Sequence, residues 1–351
     1  MKRSFGLFSA PAMIAAGLLS AGCGTNSPTT MTCDPAKEAP HQFAVNKLLV
    51  PAVKTDYSID LNGDGRPDNQ LGNILGALAS QGLDPQTSID TAVLNGQALV
   101  LVSVNTCDAT LQSDSAVTTT LYLGKSMANP DFGGMGMFTT DTSQAPAAFS
   151  GALTGGVYES DNPVTTHSPV SMTLSLPLIS GSPPVSLKIN GAYVKFTGSA
   201  TGLMKGQLDG SIKNSDIQTS IIPAVAMLLT GKIMATDLGQ MCTMNSDCKS
   251  SGMCTMSKCV LGDTAKQIKM IFDVGDSNGG NCTNPDGTMG KPNDGKIDIC
   301  EVSGNQLIAN LLVPDVQIYA ADGTTYMPNK ANTMKDSLSL GLGFTAVGAK
   351  F

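Results

Sequence analysis

Short apolar stretches, separated by glycine, proline, asparagine or serine, dominate the pattern between residues 98 and 212. Within them, apolar and polar positions alternate or β-branched residues cluster, and both patterns predict β-strands. The predicted strands occupy residues 98–104, 118–123, 171–176, 185–189, 192–197 and 203–212, with a further alternating stretch at 337–351. Because a helical pattern does not follow each strand, a parallel α/β sheet is not predicted. We expect a mainly β fold of the α+β class, with a β-sandwich or open-barrel-like body.

Four stretches change to a helical period. Residues 71–78 carry leucine or isoleucine at the i, i+3, i+4 and i+7 positions, which predicts one helix. Residues 214–230 predict a second helix, which we expect to be kinked at Pro223. Residues 264–272 and 302–312 predict two shorter helices on either side of an acidic, glycine-rich stretch.

The first residues are typical of a bacterial export signal. Lys2 and Arg3 precede an apolar run, residues 5–19, that is too short for a membrane-spanning helix. The following order Leu-Ser-Ala-Gly-Cys resembles a lipobox, with leucine one position further out than usual. We expect Cys23 to carry the lipid, and an ordinary signal peptide cut nearby is the alternative. The lipid would anchor the chain in the outer membrane or at the cell surface.

Composition and charge narrow the functional classes. The net charge is −7, only 14% of residues are charged and no basic stripe is present, so we expect no nucleic-acid partner. The sequence lacks the usual motifs of serine hydrolases, zinc peptidases and phosphate-binding loops. We therefore favour a surface structural protein or a binding or adhesion module, with a surface protein or polysaccharide as ligand. The alternative is a secreted hydrolase with an unrecognised carboxylate-based site. The 18 methionines are expected to fill the core.

The cysteine count fits an exported chain. Without Cys23, eight of the nine cysteines remain, which allows up to four disulfides. Zinc is the rival interpretation, but there is no Cys-x-x-Cys, and His41 and His167 lie far from the cysteine cluster. Spacing does not fix the connectivity; the pairing we favour is Cys33–Cys107, Cys242–Cys254, Cys248–Cys259 and Cys282–Cys300.

One acidic stretch has the spacing of a calcium-binding loop. Calcium takes six to eight oxygen ligands, and an EF-hand loop supplies them at alternate positions with glycine at the sixth. The expected ligands at positions 1, 3, 5, 7 and 9 are Asp60, Asn62, Asp64, the carbonyl group of Arg66, and Asp68. Position 12 carries Leu71 in place of glutamate, so we expect weak binding, at about 10⁻⁴ to 10⁻³ M. A rigid turn without metal is the alternative.

Residues 273–301 contain the two ends of a second such loop. The tail fits positions 5 to 12 when Gly295 is placed at position 6, and the head follows a predicted helix. The extra residues then lie between about 277 and 291. The expected ligands are Asp273, Asp276, Asn278, Asp294, Lys296 at position 7, Asp298 and Glu301. An acidic loop held only by the Cys282–Cys300 disulfide is the alternative.

Six segments in this order resemble an uncharacterised family of bacterial secreted lipoproteins with an EF-hand-like calcium loop. The segments are residues 58–84, 98–104, 206–229, 272–301, 305–316 and 337–351. The resemblance implies a lipid anchor and structural Ca²⁺, and it implies no enzymatic activity. Members tend to have a short loop where this chain carries the insertion.

We divide the chain into six parts on these patterns. They are a signal peptide (1–22), a lipidated tether (23–40), a β-rich body with the first calcium-like loop and helix (41–235), a disulfide knot (236–262), an EF-hand-like module with the insertion (263–315), and C-terminal strands that return to the body (316–351). The function expected is that of a membrane-anchored extracytoplasmic lipoprotein with structural calcium.

Overall fold

The strands predicted from alternation are present in a computed structural model, which describes residues 39–80, 85–176, 184–249, 252–276 and 279–351. The strands of the described residues are β1 (Ala39–Leu49), β2 (Val100–Thr106), β3 (Ser113–Leu123), β4 (Gly136–Met137), β5 (Ala147–Thr154), β6 (Val157–Ser160), β7 (Val170–Leu176), β8 (Val185–Ser199), β9 (Gly202–Lys213), β10 (Gly252–Thr255), β11 (Lys258–Leu261), β12 (Cys282–Thr283), β13 (Met289–Gly290) and β14 (Ser337–Lys350). The mainly β prediction is therefore confirmed. The predictions made for Cys23, Cys33 and Asn278 lie outside the described residues.

Helices are fewer than strands in the described residues. They are α1 (Gln70–Ser80), α2 (Pro85–Leu94), α3 (Pro163–Thr166), α4 (Asn214–Asp216), α5 (Ile222–Ile233), α6 (Asp263–Phe272), α7 (Ile299–Gly304) and α8 (Gln306–Leu311). A π-helical turn, Ile217–Ile221, joins α4 to α5, and it lies directly before Pro223, which has no N–H for the helical hydrogen bonds. None of the helices described is long and apolar enough to cross a membrane.

The main sheet closes on itself. Its antiparallel strands follow the order β1, β2, β3, β5, β6, β8, β9 and β14, and β14 also pairs with β1. Closure removes the unpaired edges that an open sheet or a sandwich would leave. The open-barrel-like body expected from the sequence is thus a closed cylinder, with β7 paired to the first half of β8.

The two faces of β14 have different neighbours. Leu338, Leu340, Leu342 and Phe344 alternate along the strand and pack in the main apolar core. The serines and glycines between them are buried as well, because residues 52–69 and 313–336 contact the opposite face. The body therefore has two buried faces, one apolar and one polar.

A small apolar cavity lies between the helices and the sheet. Its volume is about 50 Å³, and aliphatic side chains from α1, α2, α5, α8 and the strands line it. Leu71, the residue at position 12 of the first calcium-like loop, is one of them.

Disulfides fasten the second half of the chain. Cys242 pairs with Cys254, Cys248 with Cys259 and Cys282 with Cys300, which is the favoured pairing. Cys107 is also disulfide-bonded.

Methionine does not fill the core as expected. Among the described residues twelve methionines are exposed, and Met256 is 94% exposed, whereas Met172 belongs to the core. Valine, leucine and isoleucine make up most of the core instead, as β-branched and leucine side chains fit a pleated sheet surface well.

Candidate metal-binding loops

The first loop, residues 60–71, wraps its own backbone around one carboxylate. Asp60 Oδ1 accepts hydrogen bonds from the N–H groups of Gly63 and Asp64, at 2.7 and 3.1 Å, and its Oδ2 accepts one from Gly65 at 2.7 Å. Gly63 and Gly65 have φ values of +82° and +85°, which glycine adopts without a steric penalty. This conformation turns the chain tightly at Gly63 to Gly65, so that three successive N–H groups face the Asp60 carboxylate.

Asn62 and Asp64 each accept a hydrogen bond from the backbone N–H two residues further along the chain. Asn62 Oδ1 accepts the N–H of Asp64 at 3.0 Å, and Asp64 Oδ1 accepts the N–H of Arg66 at 2.9 Å. Each of these oxygen atoms keeps a second lone pair. The side chains expected at positions 1, 3 and 5 are therefore ordered, with acceptor capacity left for a cation.

Asp68, at position 9, is buried. Its Oδ2 accepts the N–H of Leu61 at 3.1 Å, and its own N–H donates to Ile59 at 2.7 Å. Burial is the main cause that raises the pKa of Asp68 to about 7, and the carboxylates of Asp315 and Asp64 add to it. Among the described residues the ion pairs found do not include Asp60, Asp64 or Asp68.

Position 12 of the first loop points elsewhere. Leu71 lines the apolar cavity, so it cannot ligate a cation. An acidic side chain from another segment lies nearby: Ser339 Oγ accepts the N–H of Gln70 at 2.8 Å and donates to Asp315 Oδ2 at 2.6 Å. Asp315 was missed by the sequence analysis, because no local pattern connects it to residues 60–71.

The second loop, residues 273–301, repeats the contacts of the first. Asp273 Oδ1 accepts the N–H of Asp294 at 3.1 Å, and its Oδ2 accepts that of Gly295 at 2.9 Å. Asn293 and Gly295 have φ values of +61° and +83°. Asp294 Oδ1 accepts the N–H of Lys296 at 2.9 Å, as position 5 does in the first loop. Asp273 and Asp294 thus occupy positions 1 and 5, and the extra residues lie within 274–292.

The insertion is fastened close to the end of the loop. Its short hairpin, β12 and β13, contains Cys282, which is disulfide-bonded to Cys300. Asn284 is buried and accepts the N–H of Cys300 at 3.0 Å. Asp276 accepts the N–H of Gly280 at 2.7 Å and shares the lining of a polar cleft with Glu301. Asp276 therefore lies on the Glu301 side of the loop.

Glu301 closes the second loop at position 12. It is 1% exposed, and its two oxygens accept the N–H groups of Gly275 and Asp298 at 2.6 and 2.9 Å. Burial is the main cause that raises its pKa; the two N–H groups lower it, and the carboxylates of Asp273 and Asp298 raise it further. Three buried carboxyl groups thus lie near one another.

Two lysines partly neutralise this cluster. The ammonium group of Lys296 donates to Asp298, and this hydrogen bond is the main cause that raises the pKa of Lys296. Lys269 lies 3.6 Å from Asp273 Oδ2. The first loop has no such ion pair in the part of the chain that the structure describes.

A threonine on α5 holds the second loop against the body. Thr230 Oγ1 accepts the N–H of Ile297 at 2.8 Å and donates to its carbonyl oxygen at 3.0 Å. The side chain thereby pairs with position 8 of the loop as a neighbouring strand would. Sequence periodicity gave no sign of this role, because Thr230 follows the apolar positions of its helix.

The charged and carbonyl oxygens fit a calcium ion better than a transition metal. In the described residues, the single group of three His, Cys, Asp or Glu ligand atoms within 4.8 Å of one another is formed by Cys242, Cys248 and Cys259. These three are disulfide-bonded and are not metal ligands. A cation in either loop would therefore use amide, carbonyl and water oxygens beside the carboxylates, which calcium accepts.

The apolar cavity and the polar cleft differ in their linings. The apolar cavity has only hydrophobic side chains in its lining, and the acidic groups of the polar cleft, Asp276 and Glu301, belong to the second loop. His167 ends α3 at the exposed surface. A pair of facing carboxyl groups away from the loops, as a carboxylate-based hydrolase requires, is not found in these cavities.

No protein-family model matches this chain, and neither a curated protein nor a solved structure is similar to it.

Proposed function

We propose that this protein is an exported lipoprotein whose extracytoplasmic domain binds structural calcium and acts as a surface binding or structural module. The observation that carries the calcium proposal is the repeated set of contacts at Asp60 and Asp273. Two segments with different flanking structure fold the same backbone turn around an aspartate. The shared glycine at position 6 and aspartate at position 9 are what a calcium loop requires.

The physical role of the ion is charge compensation. In the first loop Asp68 is buried beside other carboxylates without a lysine or arginine bonded to it in the described residues. Like charges in a poorly solvated site oppose ionisation, and a divalent cation removes that penalty. The second loop has more carboxylates and its own lysines, so we expect both loops to bind, with different affinities.

Calcium-dependent melting of the full chain tests the proposal. Calcium at ten to a hundred times the dissociation constant would stabilise each occupied site by about 1.4 to 2.7 kcal/mol. We expect the Tm to rise by a few degrees in millimolar calcium. The substitutions Asp60→Asn and Asp273→Asn keep a carbonyl oxygen for the loop amides but remove a charge, so each should reduce the rise.

Asp322→Asn is the matched control, because Asp322 caps an exposed turn at Thr324 and Thr325 outside both loops. It should leave the calcium-dependent rise unchanged. A wild-type Tm that is the same in calcium and in chelator would contradict the calcium proposal.

The proposed anchor is the acylated Cys23, with the domain outside the cytoplasm. Seven disulfide-bonded cysteines, Cys107 and the three pairs above, support an oxidising compartment. Cells grown with a radiolabelled fatty acid should label the wild-type chain and not Cys23→Ala. Equal labelling of both would exclude the anchor.

A protein is the ligand class that the surface supports best. Flexible, exposed methionines adapt to irregular apolar surfaces, and Met135, Met137, Met241 and Met256 are each at least 74% exposed. The proposed ligand is a surface protein or a polysaccharide. Leucine substitutions at these methionines keep the apolar volume but remove the flexibility of the side chain. They should therefore weaken the binding of a protein ligand and leave the binding of a polysaccharide unchanged.

A further inference from the structure

Asp209 is a carboxyl group enclosed on the polar face of the sheet. It lies on β9 and is 0% exposed, and within the described chain neither of its oxygens has a hydrogen-bond partner of regular geometry, although the side chain of Gln207 is close enough to lower its pKa. An ionised carboxylate in such a place is very unfavourable, and a buried group of this kind takes up a proton instead. The neutral acid carries one O–H donor that needs an acceptor.

An acceptor lies directly opposite. Asp209 pairs with Gly341 on β14, which has no side chain. A methyl group at Gly341 would lie 1.6 Å from the carbonyl oxygen of Tyr57 and 2.7 Å from Asp209 Oδ1. The two oxygens therefore lie over the same Cα and are separated by no more than the sum of these distances. Within that limit of about 4.3 Å, a protonated Asp209 can turn its O–H toward the carbonyl oxygen of Tyr57.

Tyr57 belongs to the segment that leads into the first loop. Its φ is +46°, an uncommon conformation for a bulky residue. Asn69 Nδ2 donates to the carbonyl oxygens of Asp56, Tyr57 and Gly341, at 2.7, 3.2 and 3.2 Å. Asn69 is position 10 of the first loop and follows Asp68. The carbonyl group of Tyr57 is thus connected to the loop through one side chain.

The surrounding charges favour the neutral form of Asp209. Burial raises the pKa of Asp209 well above its usual range, and the side chains of Gln207 and Lys195 lower it less. On β8 and β6, Lys195 is paired at 3.6 Å with Glu159, which also accepts the hydroxyl of Tyr193. From the loop side, Asp56 is the charged group near Tyr57, and it caps Ala52 and Val53.

We propose that the carboxyl group of Asp209 donates a hydrogen bond to the carbonyl oxygen of Tyr57 and thereby holds the first loop in its cation-binding conformation. The effect on calcium affinity rests on the proposed calcium function, whereas the hydrogen bond itself does not depend on it. Loss of the proton sets a carboxylate against a carbonyl oxygen and releases residues 52–69. Calcium affinity at the first loop then falls at alkaline pH, whereas competition by protons alone would make it rise.

Hydrogen exchange of residues 52–69 in calcium-free buffer tests the bond directly. Asp209→Asn keeps the shape and supplies an amide donor at every pH, so intrinsic exchange rates cancel when it is compared with wild type. We expect equal protection at mildly acidic pH and about ten-fold faster exchange of wild type at alkaline pH. Asp209→Leu lacks the donor and should exchange fast at both. Equal protection of wild type and Asp209→Asn at alkaline pH would overturn the inference.

A calcium titration at alkaline pH separates this inference from the proposed function. Asp209→Asn should bind calcium about ten-fold more tightly than wild type there, and Asp60→Asn should remove that difference. If wild type and Asp209→Asn differ in hydrogen exchange but no variant binds calcium, the hydrogen bond is supported and the calcium function is rejected. If wild type and Asp209→Asn bind calcium with equal affinity and exchange at equal rates, the calcium function is supported and the hydrogen bond is rejected. Asp322→Asn is again the control for a charge change elsewhere.

Discussion

Gly341 is the position where one added carbon should disturb the first loop most. The Cβ atom of Gly341→Ala would lie 1.6 Å from the carbonyl oxygen of Tyr57 and 2.7 Å from Asp209, and contacts under 3.0 Å are essentially never observed for Cβ. The Tyr57 carbonyl group must therefore retreat by more than an ångström. The contact involves backbone on one side and a paired strand on the other, so neither can move freely.

The loss of stability follows from the contacts that break when the Tyr57 carbonyl group moves away. Overpacking of this kind costs about 1 to 3 kcal/mol. Asn69 loses its bond to Tyr57 and distorts those to Gly341, and each hydrogen bond contributes about 1 kcal/mol. We expect the free energy of unfolding of Gly341→Ala to fall by about 3 to 5 kcal/mol. Urea denaturation followed by circular dichroism measures it.

Gly198→Ala is the matched control, since it also places alanine in a strand of the sheet. Its Cβ would meet Leu111 at 3.4 Å, an ordinary contact, so we expect no loss and a gain of up to about 1 kcal/mol. A loss below about 1 kcal/mol for Gly341→Ala, or equal effects of the two substitutions, would refute the close approach of the Tyr57 segment to β14.

Three further predictions concern the second loop, the cavity and the buried acid. Thr230→Val leaves the N–H and C=O of Ile297 without a partner and should cost about 1 to 3 kcal/mol by urea denaturation, whereas Thr219→Val on the exposed side of the preceding turn should cost less. Val225→Ile fills part of the 50 Å³ cavity, so it should raise the Tm and increase the free energy of unfolding by up to about 1 kcal/mol. A lower Tm would show that the cavity is not free space. Because burial raises the pKa of Asp209, the folded chain loses stability as the pH rises above about 4, until folded Asp209 itself ionises. Asp209→Asn should lack this loss in denaturation curves measured across that range.

Local patterns were enough for six of the fourteen strands described, namely β2, β3, β7, β8, β9 and β14. The alternating leucines of 337–351 predict β14, and both the interior and the polar face of that strand follow from alternation. Residues 185–189 and 192–197 were predicted as two strands but form β8 alone, because Gly191, with φ of +58°, lets the strand bulge without turning back. β1 was not predicted, since its sequence mixes polar and apolar residues and partners on both sides decide its conformation.

The loops were predictable where their contacts are local. The acidic and amide side chains at i, i+2 and i+4 that contact the loop backbone follow from the sequence spacing. The division of the second loop by an insertion follows from the same spacing. Asn69, Asp209 and Asp315 could not be identified in this way. Asn69, for example, bonds to Gly341, which is 272 residues away, and such a contact leaves no pattern in the neighbouring sequence. A polar residue alternating into a buried strand face, as Asp209 does, is the one available signal.

The pairing of β1 with β14 has a consequence for the order of folding. The side chain of Gln42 bonds to Phe351, 309 residues further along the chain, and closing a chain segment of that length costs about 5 kcal/mol of entropy. During synthesis β1 and β9 therefore keep exposed edges until β14 emerges and joins them. A nascent or truncated chain without β14 exposes two unpaired strand edges that can pair with other chains. Only a molecule that has paired β14 with both β1 and β9 is therefore protected from such association.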